Sequence, residues 1–87
     1  MHRAAMNEFL DYVLRQLIDY PEEMVLVKLE GNRKTTFRLR LRQSDVGKVI
    51  GKHGHTIIAL RNLLSAAAAR QGEKALLEIV EEDGARG

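Results

Sequence analysis

The amino-acid sequence predicts a two-layer α/β domain in which three helices cover one face of a three-stranded mixed sheet. Two observations lead to this prediction. Apolar residues recur with the helical period near the N-terminus and again after residue 44, and they alternate with polar residues between residues 25 and 42. The segments follow the order α-β-β-α-α-β. A helix pair between the second and third strands is long enough to make those two strands parallel.

The composition is that of one small domain. The chain has 87 residues, of which 45% are hydrophobic and 30% are charged, an ordinary globular balance. It has no cysteine, which excludes disulfides and a cysteine-based zinc site. The sequence lacks the apolar core of a signal peptide and the roughly 18-residue apolar run of a membrane span, so a cytoplasmic protein is expected. We expect the domain to cover residues 1–80 and residues 81–87 to form a frayed tail.

Charge is distributed unevenly along the chain. Residues 1–27 carry 2 basic and 5 acidic side chains (−3), residues 28–61 carry 9 and 2 (+7), and residues 62–87 carry 3 and 5 (−2). A basic segment between acidic flanks suits a polyanion such as a nucleic acid. Alternatively, the arginines pair with the flanking carboxylates on a solvated surface. The charge pattern by itself leaves both interpretations open.

The first 20 residues predict an amphipathic helix over about residues 4–19, ended by Pro21. Its apolar residues recur at alternating steps of three and one, which places them on one side of a helix. They are Met6, Phe9, Leu10, Val13, Leu14, Leu17 and Ile18.

Three strands follow from alternating patterns. "MVLVKLE" predicts a strand with Val25, Val27 and Leu29 on one face, and "GN" at residues 31–32 predicts a tight turn. "TTFRLRLR" predicts the antiparallel partner strand, with Phe37, Leu39 and Leu41 on one face and Arg38, Arg40 and Arg42 on the other. The hairpin would thus have an arginine-rich outer face. "KALLEIV" predicts the last strand, which buries Ala75, Leu77 and Ile79.

Two helices are expected between the second and third strands. Ser44 is a good N-cap and Asp45 suits a first turn, so a short helix begins there and stops at Gly51. It carries towards the core Val46, Val49 and Ile50. The next helix begins around residues 54–55 and ends near Gly72. Its expected buried side consists of Ile57, Ile58, Leu60, Leu64, Ala67 and Ala68.

The sequence "GKHG" interrupts what would otherwise be one long helix. An interior glycine costs a helix about 1 kcal/mol relative to alanine, so Gly51 and Gly54 need a reason. Glycine permits a positive φ and the close approach of another chain. The following helix directs its N–H groups and positive dipole end to this point, and Lys52 adds a full charge. His53 and His55 donate hydrogen bonds and gain charge at lower pH, so phosphate is the favoured ligand.

The glycine spacing does not match that of a nucleotide-binding phosphate loop. Such a loop needs one more residue between Gly47 and Gly51, a Ser or Thr in place of His53, and a preceding strand. A plain helix–turn–helix corner, in which the glycines serve only the bend, stays open. Such a bend does not, however, require Lys52.

Metal binding and catalysis receive little support. A metal site at His53 and His55, with His2 as a third ligand, would lack both cysteine and clustered carboxylates. Ser44 is explained as a cap, Ser65 lies within an alanine-rich helix, and no acid–base pair is suggested. We therefore expect neither an enzyme nor a cofactor.

The stretch "VIGKHGHTI", residues 49–57, resembles the V-I-G-x-x-G-x-x-I signature of the K homology (KH) domain, an RNA- and single-stranded-DNA-binding module. In that family the G-x-x-G loop clamps the backbone of about four nucleotides. A helix and two strands precede the loop here, as in the type II arrangement. Over nearly its whole length the chain resembles the small bacterial stand-alone KH proteins. His55 stands where many relatives carry arginine, so the local charge is weaker at neutral pH.

The resemblance implies a non-enzymatic protein that binds single-stranded RNA as a post-transcriptional regulator, an RNA chaperone-like protein or a ribosome-associated factor. The implied backbone contacts are Gly51, Lys52, His53, Gly54 and His55. The implied apolar groove for the bases consists of Val49, Ile50, Ile57 and Ile58, and Lys48 with Arg38, Arg40 or Arg42 would extend the path. The alternative is an adaptor that forms homodimers, or heterodimers with a larger KH-containing protein.

Overall fold

The elements of the fold follow the predicted order. The computed structural model describes the backbone of residues 3–80 and the side chains of residues 6–80, so the expected tail at 81–87 and the candidate ligand His2 lie outside the described residues. The main elements are α1 (Arg3–Leu17), β1 (Val25–Gly31), β2 (Lys34–Arg40), α2 (Gln43–Ile50), α3 (His55–Ala69) and β3 (Lys74–Val80). Short 3-10 turns occupy Pro21–Glu23 and Lys52–Gly54.

The sheet has β2 at its centre. β1 pairs with β2 antiparallel, with Val25 opposite Arg40, and β3 pairs with β2 in parallel, with Leu77 opposite Phe37. The predicted mixed sheet is therefore confirmed. Helices α2 and α3 form the crossover between the two parallel strands. We call the segment that joins them, residues 51–54, the corner.

The core lies between the inner face of the sheet and the helices. Its largest fully buried apolar side chains are Leu10 and Leu14 of α1, Phe37 and Leu39 of β2, and Val49 of α2. Burial of one such side chain contributes roughly 1.5–3 kcal/mol to folding. Among the helices of residues 3–80, none is long and apolar enough to cross a membrane.

The outer face of the sheet combines the arginine row with an apolar row. Val25, Val27 and Leu29 share one face of β1 as expected, and they are 42–49% exposed. The register explains this arrangement, because Val25 lies opposite Arg40 and Val27 lies opposite Arg38, so both rows are on the same side. The outer face is consequently less polar than the pattern of β2 alone indicates.

The start of α2 differs from the sequence expectation. Arg42, not Ser44, precedes the first helical residue, and no side chain caps the helix. Asp45 is fully buried, and its two carboxylate oxygens accept hydrogen bonds from the backbone N–H groups of Asp19 (3.1 Å) and Tyr20 (3.0 Å). The carboxylate therefore ties the segment after α1 to the first turn of α2, which fixes the helix that leads to Gly51.

Candidate nucleic-acid interface

The two glycines of the corner between α2 and α3 adopt conformations that other residues rarely adopt. Gly51 has φ +80° and ψ 171°, and a Cβ atom at this position would lie 2.6 Å from the Cβ atom of Thr56. Gly54 has φ +75°, with Ile58 Cδ1 at 4.0 Å from a built Cβ atom. Gly51 is thus required by packing as well as favoured by backbone conformation, whereas at Gly54 only the backbone conformation favours glycine.

The backbone between the glycines presents N–H groups to solvent. His53 is left-handed (φ 57°, ψ 21°) and follows the helical Lys52. Such a right-handed, left-handed succession turns consecutive N–H groups towards one point and forms an anion-binding concavity. The N–H groups of Lys52 and His53 have no acceptor among residues 3–80.

Two N–H groups at the start of α3, where the sequence predicts phosphate binding, instead donate hydrogen bonds to backbone carbonyls of the corner. Gly54 donates to the carbonyl of Gly51 at 3.0 Å, and His55 donates to the carbonyl of Lys52. The N–H groups of Gly54 and His55 are therefore not free for a phosphate, whereas those of Lys52 and His53 are.

The side chains of the corner are exposed and basic. Lys52, His53 and His55 all lie at the surface, and the two imidazole rings are 5.8 Å apart between centroids. Lys52 makes no ion pair with any residue that the structure describes. Within the same part of the chain, no group of three or more histidine, cysteine, aspartate or glutamate residues is placed to hold a metal ion. This corner consequently offers an uncompensated positive charge.

Lys48, one helical turn before Gly51, differs from Lys52 because it forms ion pairs within the protein. Its Nζ atom lies 3.3 Å from Oδ2 of Asp19 and 3.8 Å from Oδ1 of Asp45. Two carboxylates therefore offset its charge. The pattern around Lys48 could not reveal this, because Asp19 lies in the segment after α1, 29 positions earlier in the chain.

The arginines of the basic segment also have partners. Arg38 Nε lies 3.1 Å from Oε1 of Glu78, on the neighbouring strand. Arg42 Nη1 lies 2.8 Å from Oε2 of Glu23, and its guanidinium carbon is 4.1 Å from the centroid of the Tyr20 ring. The hydrogen bond from Arg42 to Glu23 raises the pKa of Arg42. Arg40 also has a partner. These pairs fit the solvated-surface interpretation of the basic segment, and such exposed pairs contribute little to stability.

The candidate groove residues divide into two pairs. Val49 (0% exposed) and Ile57 (6%) belong to the core, whereas Ile50 (36%) and Ile58 (51%) are exposed. The expectation that Ile50 and Ile58 face the core is wrong, because the helical turn places them on the solvent side of α2 and α3. The apolar surface beside the corner therefore consists of Ile50 and Ile58.

Arg61 of α3 makes a structural contact that the sequence did not indicate. Its Nε and Nη2 atoms both donate to the backbone carbonyl of Leu77, at 3.2 and 3.1 Å. The contact holds α3 against β3, which is an edge strand. Its position in α3 gave no signal, because the acceptor is a backbone atom 16 residues away.

The element order, the parallel third strand and the glycine-bounded corner between α2 and α3 together define a KH domain of type II. A family model described as "KhpA/KhpB, KH domain" matches residues 7–79, and the chain belongs to this family.

Curated relatives match over nearly their whole length. RNA-binding protein KhpA of Chlamydia trachomatis is 44% identical over 77 residues, which is 88% of this chain and 99% of the relative. The protein of the same name from Treponema pallidum is 43% identical, covering 86% and 94%. The one from Listeria monocytogenes is 34% identical, covering 87% and 100%. No solved structure matches the chain.

Proposed function

We propose that this chain is a non-enzymatic protein that binds single-stranded RNA at the corner between α2 and α3. The relatives in Chlamydia, Treponema and Listeria are named RNA-binding proteins, which supports RNA as the ligand class. The observation that carries the proposal is the corner itself, where two unoccupied N–H groups lie beside an unpaired lysine. In this proposal the chain acts on transcripts in the cytoplasm, as a regulator, an RNA chaperone-like protein or a ribosome-associated factor.

The corner suits a phosphate for steric and electrostatic reasons. Gly51 and Gly54 carry no side chains, so a sugar–phosphate backbone can approach the peptide closely. The N–H groups of Lys52 and His53 donate to one phosphate, and the ammonium group of Lys52 adds a charge-assisted contact. The ligand is held by its backbone over about four nucleotides, as in KH domains generally.

The bases would contact the exposed pair Ile50 and Ile58. These aliphatic side chains provide apolar contact without hydrogen-bonding groups, so they discriminate weakly between bases. We therefore propose a preference for unpaired strands over duplexes, with modest selectivity for sequence. Lys48, Arg38 and Arg40 would take part only by exchanging their present partners for phosphate.

The experiment is a fluorescence-anisotropy titration of a labelled oligoribonucleotide with wild type and with Lys52→Asp/His53→Asp. Wild type should show a log–log salt dependence of about −0.7 per phosphate neutralised. The double variant should lose binding while its circular dichroism stays native, because both side chains are exposed. If the variant binds as tightly as wild type, the corner is not the binding site.

A second candidate function, an adaptor that pairs with itself or with a larger KH-containing protein, is favoured by the outer face of the sheet. Val25, Val27, Leu29 and Leu76 are each at least 42% exposed there. Monomeric proteins rarely expose contiguous apolar patches larger than a few hundred Å². Sedimentation equilibrium tests this candidate. A tight dimer that binds no RNA, and that Val27→Lys dissociates, would establish the adaptor in place of the RNA-binding protein.

A further inference from the structure

Two lysines lie side by side where β2 and β3 begin. Lys34 and Lys74 are register partners in the parallel ladder, so their Cα atoms are about 4.8 Å apart. Each is followed by a buried residue, Thr35 and Ala75 respectively, so both lysines belong to the outer face of the sheet. Arg33 precedes Lys34 in the turn, and its carbonyl accepts the N–H of Lys74 at 3.0 Å. We call Arg33, Lys34 and Lys74 the strand-start patch.

Among residues 6–80, no carboxylate offsets the charge of the strand-start patch. Glu30 pairs with Lys28 at 3.1 Å, and the alternation of β1 turns both towards the other face. Glu73 is half-buried and has a partner of its own. None of the three patch residues makes an ion pair within the described part of the chain.

The neighbouring positions on the same two strands show the opposite arrangement. Arg38 and Glu78, which are also register partners, form an ion pair at 3.1 Å. This pair lies four residues along β2 from Lys34, about 13 Å away, which exceeds the screening length of about 8 Å at physiological salt. Like charges placed next to each other across a ladder destabilise a sheet. The lysine pair therefore carries a stability cost that the Arg38–Glu78 pair, four residues further along β2, does not.

We propose that the strand-start patch is a second contact for the phosphates of the same RNA strand that the corner holds. This inference rests on the proposed function. Cations without partners are the ones that release counterions from a nucleic acid most favourably, since no internal ion pair is lost. Lys52 at the corner and the strand-start patch share this property, whereas Lys48, Arg38 and Arg42 do not.

The two contacts lie at opposite ends of α3. The corner precedes the first residue of this 15-residue helix, which is about 22 Å long, and Lys74 follows its last residue by five positions. A strand that fills only the corner does not reach the patch. A 12-nucleotide strand spans about 40 Å even at the 3.4 Å phosphate spacing of a duplex strand, which exceeds the longest dimension of the protein, 35 Å.

The test compares a 4-nucleotide and a 12-nucleotide oligoribonucleotide of uridine, titrated with Lys34→Gln/Lys74→Gln and with wild type. The matched control is Gln16→Glu/Tyr12→Glu, which lowers the net charge by the same two units on the exposed side of α1. We expect the patch variant to bind the 12-mer about tenfold more weakly at low salt, with a salt slope reduced by about 1.4 for two lost phosphate contacts. The 4-mer should bind equally to all three proteins, and the control should match wild type on the 12-mer.

Different outcomes of this experiment refute the second contact and the binding site at the corner. If the patch variant and the control bind the 12-mer equally while Lys52→Asp/His53→Asp abolishes binding, the second contact is refuted and the corner stands. If the patch variant loses affinity for both oligomers equally, the length-dependent contact is also refuted. If the patch variant alone loses 12-mer binding and the corner variant loses nothing, the patch binds RNA by itself, and both the corner assignment and the shared-strand proposal are refuted.

Discussion

A Cβ atom on Gly51 would lie 2.6 Å from the Cβ atom of Thr56. This relationship links the first residue of the corner to the first turn of α3. It explains why the chain bends at Gly51, since the side chain of Thr56 occupies the space that any other residue would need. Packing against Thr56 therefore holds the backbone of Gly51 in its positive-φ conformation.

We predict that Gly51→Ala destabilises the fold by about 2–4 kcal/mol, because a positive φ and a steric overlap are imposed together. Urea denaturation measures the change. Gly47→Ala is the matched control, since Gly47 lies inside α2 with no heavy atom within 4 Å of a built Cβ atom. That control should stabilise the protein by about 0.5–1 kcal/mol. Equal midpoints for Gly51→Ala and wild type would contradict the packing argument.

A second prediction concerns the buried carboxylate of Asp45. Asp45→Ala should destabilise the protein by about 2–4 kcal/mol, because the N–H groups of Asp19 and Tyr20 would lose their acceptor. Asp45→Asn keeps one carbonyl oxygen and should cost less. Asp11→Ala, which breaks the exposed pair with Arg15, should change stability by under about 1 kcal/mol. Thermal unfolding followed by circular dichroism ranks the stability of the three variants. An Asp45→Ala variant as stable as Asp11→Ala would show that the hydrogen bonds from Asp19 and Tyr20 to Asp45 contribute little to folding.

A third prediction compares the contributions of Lys52 and Lys48 to RNA binding, which the sequence pattern does not distinguish. Lys52→Gln should weaken RNA binding more than Lys48→Gln, because Asp19 already compensates Lys48 at 3.3 Å. The salt slope should fall by about 0.7 for Lys52→Gln and by less for Lys48→Gln. Asp19→Asn is the complementary variant, since it removes the nearer of the two carboxylate partners of Lys48 and should raise affinity. Equal losses for the two lysine variants would show that the ion pair does not limit Lys48.

The sequence was sufficient for the order of elements and for most of the core. Periodicity reports which side of a helix or strand is apolar, and glycines mark where a helix must stop, since both are local properties. The mixed sheet followed from the length of the crossover. The corner at residues 51–54 was located for the same reason, because its glycines are visible without tertiary context.

Features that depend on distant partners were not predictable from the pattern. The apolar row of β1 was assigned to one face, but only the register with β2 shows that this face is the outer one. Ser44 looked like a cap, yet the neighbouring Asp45 is the residue that makes the decisive hydrogen bonds. The neutralisation of Lys48 depends on Asp19, which is 29 positions earlier in the chain.

The parallel pairing of β2 with β3 affects the order in which the elements of the domain fold. Arg38 and Glu78 are 40 positions apart, so this pairing closes a long segment and forms late relative to the local hairpin of β1 and β2. Arg61 can hold α3 only after Leu77 has arrived beside it. Among the elements of residues 3–80, β3 is the last in the chain, so α3 gains its hydrogen bonds to the Leu77 carbonyl only when β3 has paired with β2.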